Sequence, residues 1–501
     1  MQTLITELSN RNISSKDRIN YLKSQFNKYK YQADFVSFKW ISEKTKDIKV
    51  RNSKFENIHT FFDQGLMIEV FINGHFGHCG TCEITEQGIN KAFERAIDLT
   101  KVFSQYKLFE FNPFKTRGSI KGTYQSNSLN KLNSLKSSEI IEFLIKASDL
   151  LKNNHRIQST FTDTTIIECQ HYYLNTLGAE IDQSFEIIMN QFGATAVNGL
   201  ERQTRTLNGG KALCYQGGSE YFNFQEIEDS LNKIRDEAIL LTEAENCPSK
   251  ISDILIAPDQ MQLQIHESIG HPLELDRILG DERNFAGWSF IQPSDFGKLQ
   301  YGSEMLNVTF DPTVSNELAS YAFDDVGLKS EKKFLIKNGL LVSGLGSLES
   351  QNRFKKVYGI NIDNVANSRS SSWNRAAIDR MANINIEPSN TSLQNIISSI
   401  ENGVLMCSNK SWSIDDYRNK FQFGCEIAYQ IKEGEIKSLF KNPNYRGQTI
   451  PFWNSLMQVS DSESTQTFGS PYCGKGEPSQ IIRVGHRSPY GLFKNVEIFG
   501  G

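Results

Sequence analysis

Hydrophobic positions in the first half of the chain switch between a spacing of three to four and a spacing of two. Ile19, Leu22 and Phe26 recur at helical spacing between Asp17 and Tyr29 and predict an opening amphipathic helix. Alternating apolar and aromatic residues in ADFVSFKWISEKT, DIKVRN, FENIHTFF and LMIEVFING then predict half-buried antiparallel strands. Thr85 is placed to cap a helix whose inner face carries Ile89, Phe93, Ala96 and Ile97. Beyond a polar stretch from Asn112 to Leu135, SSEIIEFLIKASDLLKNN predicts a helix capped by Ser137 or Ser138. Strands through QSTFTDTTIIECQHYY and AEIDQSFEIIMNQFGATAV follow, joined by a turn around Asn175 to Gly178. Gly209-Gly210 and Gly217-Gly218 bracket a hairpin or loop, because the Gly-Lys-Ser/Thr ending of a phosphate loop is absent. Ile227, Leu231, Ile234, Ala238 and Leu241 place an amphipathic helix within Phe224 to Ala244.

The second half reads differently. ISDILIA predicts a strand entering a helix, with Asp259 as N-cap and Gln262 completing a capping box. VTFDPTV, ASYAFDD, KKFLIKNG and LVSGLGSLES predict a strand meander with a tight hairpin at Asn338-Gly339. NSRSSSWNRAA reads as an exposed cationic loop, SLQNIISSIENG as a short helix, and KFQFGCEIAYQIKEGEIKSLF as a hairpin centred on Glu433-Gly434. A last strand pair flanks Cys473. The whole is an α+β chain, divided into an N-terminal α+β domain over 1–222, a helical linker over 223–248 and a β-rich domain over 249–501.

Chemistry concentrates in LQIHESIGHPLELD, Leu263 to Asp276. His266 and Glu267 are adjacent and His271 follows five residues after the first histidine. On a regular helix a five-residue spacing separates side chains by roughly 140°, against roughly 40° for a four-residue spacing. Both imidazoles reach one ion only if a π-type turn with i to i+5 bonding intervenes. Gly270 tolerates such a distortion, and Pro272 has no amide hydrogen to give a regular helix. Taken alone, the histidine pair fits an ordinary buried helix equally well. The carboxylate beside the first histidine is what a zinc hydrolase needs as a general base, and a third protein ligand has to come from elsewhere.

HESIGH followed by Leu-Glu, then Gly287-Trp288-Ser289-Phe290, Tyr321-Ala322-Phe323-Asp324-Asp325-Val326-Gly327, Cys473-Gly474-Lys475-Gly476 and the terminal Gly500-Gly501, resembles the TldD branch of the TldD/PmbA metallopeptidases, also called modulators of DNA gyrase. The resemblance implies a two-domain TldD/PmbA-like fold, an N-terminal α/β domain and a strand-rich C-terminal domain carrying the metal helix. It also implies one Zn2+ per active chain, held by His266, His271 and Cys473, with Glu267 as catalytic base. A dimer with a paralogous TldE/PmbA-like subunit, or with a second copy, is implied too, acting on unfolded or extended peptides held through backbone contacts with weak sequence preference. His486 stands where the family commonly has glutamine. His486 and Tyr301 are the candidates for stabilising the transition state. The rival readings are a non-catalytic peptide-binding partner subunit and a DNA-gyrase regulator.

Composition narrows this further. A net charge of −4 lacks the concentrated basic face of a duplex-DNA binder, so no nucleic-acid partner is expected. No run approaches 18 apolar residues and the first thirty show no signal-peptide pattern, which predicts a cytoplasmic protein without a membrane segment. Eight scattered cysteines fit reduced thiols. In GHFGHCGTC, adjacent His78 and Cys79 would point to opposite sides of a strand, so a metal knuckle is not expected there. Asp324 and Asp325 read as turn residues.

Overall fold

The computed structural model describes residues 14–106, 109, 111–285 and 287–501. Helix α1 (Ser15–Tyr29) starts where Ser14 accepts the Asp17 amide. It precedes the long strands β1 (Phe35–Arg51) and β2 (Lys54–Ile72) and the shorter β3 (His75–Thr81). The four predicted strands of this region are thus two. β1 pairs along its whole length with β2 on one side, so the polar stretch between its apolar blocks stays in the ladder. Helix α2 (Glu86–Phe103) begins at Thr85, whose hydroxyl accepts the Gly88 amide, as its sequence predicts.

Four further elements complete the sheet and its cover: β4 (Lys121–Gln125), α3 (Ser137–Lys152), β5 (Ile157–Asn175) and β6 (Glu180–Asn198). α3 is not capped by a serine side chain. Its N-cap is Lys136, whose amide donates to the Glu139 carboxylate at 2.6 Å. β7 (Glu201–Thr206) and β8 (Leu213–Gln216) both pair with β6, giving an eight-stranded sheet in the path β3-β2-β1-β5-β6-β4. Helix α4 (Phe224–Leu241), capped by Asn223, follows.

Alternation decides which face of this sheet does what. Even-numbered residues of β1, such as Val36, Phe38, Trp40, Ile48 and Val50, enter the cores formed with α1 to α4. Odd-numbered residues, Ile41 and Glu43 among them, point to the opposite face, which lines a cavity against the second half of the chain. One face is packing. The other is a wall.

The second half is built on β9 (Lys250–Ile256), parallel to β10 (Asn402–Ile414) and antiparallel to the C-terminal strand. β11 (Lys420–Lys432) forms hairpins with β10 and with Glu435–Lys441, the second through Glu433 and Gly434, both at positive φ. β12 (Gln466–Lys475) and β13 (Gln480–Ser488) form a separate two-stranded ribbon, and β14 (Gly491–Gly500) closes the eight-stranded sheet around β9. Helix α5 (Pro258–Ile265) leaves β9 directly.

Several expectations are corrected. The N-cap of α5 is Ala257 with Pro258 in the first turn, and Asp259 instead accepts the Ser408 hydroxyl at 2.7 Å. ASYAFDD is not a strand, because the Asp324 carboxylate accepts the amides of Val326 and Leu328 and folds the segment into a turn. Of the predicted strand LVSGLGSLES, Leu341 joins a ladder, opposite Ile336 across Asn338-Gly339, and Leu345 makes an isolated bridge with Glu274. Gly344 and Gly346 then pack against Leu275, and a helix runs from Leu348 to Tyr358. In NSRSSSWNRAA, Ser368–Arg369 pairs with Ile378–Asp379 and Ser370 is buried, so this loop is only partly exposed.

Candidate metal centre

The path from sequence to site starts at α5, which buries nearly every side chain. Its regular hydrogen bonding stops at His266. From His266 to Gly270 the chain forms a π-turn, and the His271 amide donates to the His266 carbonyl, an i to i+5 bond. The extra residue in the turn rotates His271 back toward His266, and their ring centroids lie 4.8 Å apart at 86°. Buried polar groups hold the distortion. Tyr301 donates its hydroxyl to the Ser268 carbonyl, and the Trp453 indole donates to Ser268 Oγ at 2.9 Å. Tyr301 is therefore a support beneath the turn and does not line the site cavity. Gly270 is needed for a reason the sequence does not reveal: its φ is ordinary, but a Cβ there would lie 2.0 Å from Met381 Sδ.

Cys473 arrives from the opposite end of the chain on β12. Its Sγ lies 3.7 Å from His271 Nε2, and the ligating atoms of His266, His271 and Cys473 all fall within 4.8 Å of one another. It is the one such His/Cys/carboxylate group among the described residues. All three residues are buried. In the GHFGHCGTC segment, His78 is instead engaged with Glu69 at 2.8 Å. All eight cysteines are free thiols.

Hydrogen bonds fix which ring nitrogens are available. The Ile384 carbonyl can only accept, so His486 Nδ1, 3.0 Å away, carries its proton and His486 Nε2 accepts. His266 Nδ1, 2.9 Å from His486 Nε2, is then the donor, which leaves the lone pair of His266 on Nε2. His271 Nδ1 lies 3.1 Å from Glu274 Oε2, so its free lone pair is also on Nε2, the atom facing Cys473. Burial pushes the pKa values of His266 and His486 down, which keeps both imidazoles neutral. His486 is thus a partner of His266.

The acidic and basic groups behind these residues form one buried network. Burial pushes the Glu274 carboxyl up, but Lys475, His271 and Arg277 outweigh it and hold it well below the usual carboxylate range. Lys475 Nζ lies 2.6 Å from Asp276 Oδ1 and 3.5 Å from Glu274 Oε2. It sits two residues after Cys473 on β12, so thiol and ammonium point inward together. Arg380 donates to the Cys473 carbonyl at 2.6 Å and lies 3.3 Å from its sulfur. Burial pushes the Cys473 thiol up, yet His271 and Arg380 together hold it below its ordinary value.

Glu267 is buried beside the pair, and Arg418 Nη1 lies 2.6 Å from its Oε2. Burial raises the Glu267 carboxyl, but the groups around it, the permanent Arg418 cation among them, prevail and lower it, so it is ionised at neutral pH. Arg418 sits in the turn between β10 and β11 at φ 65°. The Gly287 to Phe290 segment braces that turn: the Trp288 amide donates to the Asp416 carbonyl, and the Trp288 ring stacks on Tyr417 at 6.0 Å.

Does this donor set fit a metal? A tetrahedral zinc, with bonds of about 2.0–2.1 Å to nitrogen and about 2.3 Å to sulfur, sets those two donors roughly 3.6 Å apart. The Cys473–His271 separation of 3.7 Å matches. Two imidazoles that turn Nε2 toward one point and an acidified thiol are also the ligand types that suit zinc. A cavity of about 470 Å³ opens onto His266, Glu267, His271 and Cys473, with Arg418 and Trp412 on its wall.

Sequence reading missed several of these groups. Glu274, three residues after His271, and Lys475, two after Cys473, carry a spacing signal that points to them. Arg380 and Arg418 carry none, since only tertiary pairing brings them to the site.

Comparison with known proteins agrees with this architecture. The model of the PmbA/TldA metallopeptidase C-terminal domain matches residues 249–500, and that of PmbA/TldA metallopeptidase domain 1 matches residues 40–100. This chain belongs to the PmbA/TldD metallopeptidase family. A protein named metalloprotease from Methanothermobacter thermautotrophicus is 25% identical over 96% of this chain and 99% of its own. A zinc metalloprotease TldD homolog from Saccharolobus solfataricus is 24% identical over 49% of this chain and 51% of its own. Among solved structures, TldE from Thermococcus kodakarensis superposes with a TM-score of 0.70 at 15% identity, covering 96% of this chain and 100% of its own. A Thermotoga maritima protein described as a putative modulator of a DNA gyrase gives 0.72 at 15% identity, covering 96% and 99%. These two likenesses speak to the fold, which is α+β. Among the described residues, no helix is long and apolar enough to cross a membrane.

Proposed function

We propose that this family member is a zinc-dependent peptidase of the TldD branch, with His266, His271 and Cys473 as ligands of one ion and Glu267 as general base. The observation that carries the reading is the convergence of two imidazoles, one acidified thiol and one ionised carboxylate on a single cavity. When bound, zinc would supply Lewis acidity, polarising the scissile carbonyl and acidifying a water. Glu267, ionised at rest and facing the cavity, is the group that would accept a proton from the attacking water and return it to the leaving amine. His486 and Glu274 hold the two histidines in the tautomer that turns Nε2 toward the cavity.

The substrate is an unfolded or extended peptide. β12 pairs with β13 along one edge, and on the other side the Gly469 amide bonds to the Ala212 carbonyl. From Pro471 to Lys475 it pairs with no strand other than β13 among the described residues, which leaves an edge for a peptide to extend beside Cys473. The chain works in the cytoplasm, paired with a paralogous TldE/PmbA-like subunit or a second copy, and its functional division is 1–222, 223–248 and 249–501.

Zinc content and cleavage of an unfolded peptide by the wild type, Glu267→Ala and Cys473→Ala test the reading, with and without a paralogous subunit. Glu267→Ala keeps zinc and loses cleavage, and Cys473→Ala loses both. Full zinc occupancy in Cys473→Ala overturns the ligand assignment.

A further inference from the structure

The face of the first sheet opposite α1 to α4 meets the second half of the chain, with Ile41 and Ile187 packed in one cluster with Leu318 and Lys39 paired with Asp325, but the contact is not continuous. Between them lies a cavity of about 410 Å³, inside the roughly 300–1,000 Å³ range of sites that hold small ligands. Its inner wall is apolar: Ile41 from β1, Ile187 from β6 and Leu318 are all buried there. Its rim carries three large hydrophobic side chains that solvent reaches, Phe61, Tyr472 and Ile481, at 58%, 56% and 54% exposure. Large apolar groups left this exposed around an apolar hollow mark a contact surface.

Apart from Asp63 at the rim, which accepts the Trp373 indole N–H at 3.0 Å, the charged groups of the cavity are already committed. Glu43 and Arg483 pair at 2.9 Å, and Asp325 pairs with Lys39 at 3.0 Å. Arg369 donates to the carbonyls of Met381 and Arg483 at 2.6 and 2.9 Å. His171 lies 3.8 Å from Asp325, and burial, outweighing that carboxylate, brings its pKa down to about 4, so its ring is neutral. A charge carried past the rim into the cavity would find its counter-ions engaged. What the cavity offers is apolar surface.

Its position says what would occupy it. Pro471 and Tyr472 line both this cavity and the one that holds His266, Glu267 and His271, and Cys473 is the next residue along β12. A peptide extended along β12 advances roughly 3.3 Å per residue and sends alternate side chains to opposite faces. A side chain within about two residues of the bond at the metal centre therefore reaches the Phe61–Tyr472–Ile481 rim.

We infer that this cavity is a side-chain subsite of the peptidase, selecting a large aliphatic or aromatic residue close to the scissile bond. The inference rests on the peptidase reading and adds to it a preference that backbone pairing alone would not impose.

The test uses the full-length protein with whichever partner it requires, and peptides that differ at single positions on either side of the cleaved bond, carrying Phe, Leu, Asp or Lys. At one position, Phe and Leu raise kcat/KM over Asp and Lys by at least about tenfold, the scale on which apolar pockets discriminate. Phe61→Glu and Ile481→Glu, both exposed, shrink that ratio toward one. Binding of fluorescent Phe and Asp peptides to Glu267→Ala is measured in parallel and needs no turnover. Preferred binding of Phe without cleavage by the wild type retains the subsite and overturns the peptidase reading. Equal binding and equal cleavage of the Phe and Asp peptides at every position overturns the subsite and leaves the peptidase reading standing.

Discussion

Arg418 Nη1 sits 2.6 Å from Glu267 Oε2, so the residue assigned as base is held by a guanidinium that lies 151 positions away in sequence. The pair keeps Glu267 charged and fixes its direction, and it also makes the carboxylate a weaker base than a free one. Arg418→Met is expected to lower kcat/KM about ten- to hundredfold, less than the roughly 10²–10⁴-fold that a positioned acid–base group contributes. Metal content should stay at the wild-type level, and Arg418→Lys should recover part of the loss. Elemental analysis beside peptide kinetics checks this; loss of the metal in Arg418→Met would assign the pair to ion binding instead.

His486 is expected to act through His266. Its Nε2 accepts the His266 Nδ1 proton, a task the side-chain oxygen of glutamine also performs and leucine cannot. His486→Leu should weaken zinc binding about 10–100-fold, the usual effect of deleting a partner of a metal-binding histidine. His486→Gln should stay close to wild type. Competition with a chromogenic chelator measures both, and equal affinities for the two variants would refute the role.

The junction between the two halves of the chain depends on Arg205 of β7. Its guanidinium pairs with Glu237 of α4 at 2.9 Å and with Glu426 of β11 at 2.5 Å, all three buried. Arg205→Met leaves two buried carboxylates without their cation and should cost about 3–5 kcal/mol in urea unfolding. A change below about 1 kcal/mol would mean that the network is not structural.

His171 should make stability depend on pH. Burial, only partly offset by Asp325, lowers its pKa from 6.5 to about 4, so the unfolded chain binds the extra proton first as pH falls. Its contribution is complete above pH 6.5 and is lost progressively between about 6.5 and 4. The ceiling is about 3 kcal/mol, reduced because solvent reaches 24% of the side chain. Comparing urea midpoints of the wild type and His171→Phe across this window, with zinc present, isolates the effect. Parallel pH profiles for the two proteins would remove His171 from the account.

Local order was legible wherever one hydrogen bond or one periodicity decides it. The five-residue spacing of His266 and His271 already demands the π-turn seen from His266 to Gly270, because only i to i+5 bonding aligns the two rings. Thr85, Asn338-Gly339 and Glu433-Gly434 declared a cap and two hairpins in the same way. ASYAFDD misled because its alternation is that of a strand while the Asp324 carboxylate captures the nearby amides first.

What the sequence by itself determined is therefore the deformed helix, its two imidazoles and the carboxylate between them. Tertiary structure alone decided that Cys473 returns across 202 positions to meet His271, that Arg418 reaches Glu267, and that one sheet face walls a cavity against the second half of the chain. Spacing within a helix is set by backbone geometry over a few residues, whereas these meetings depend on strand registers and packed cores to which the whole chain contributes.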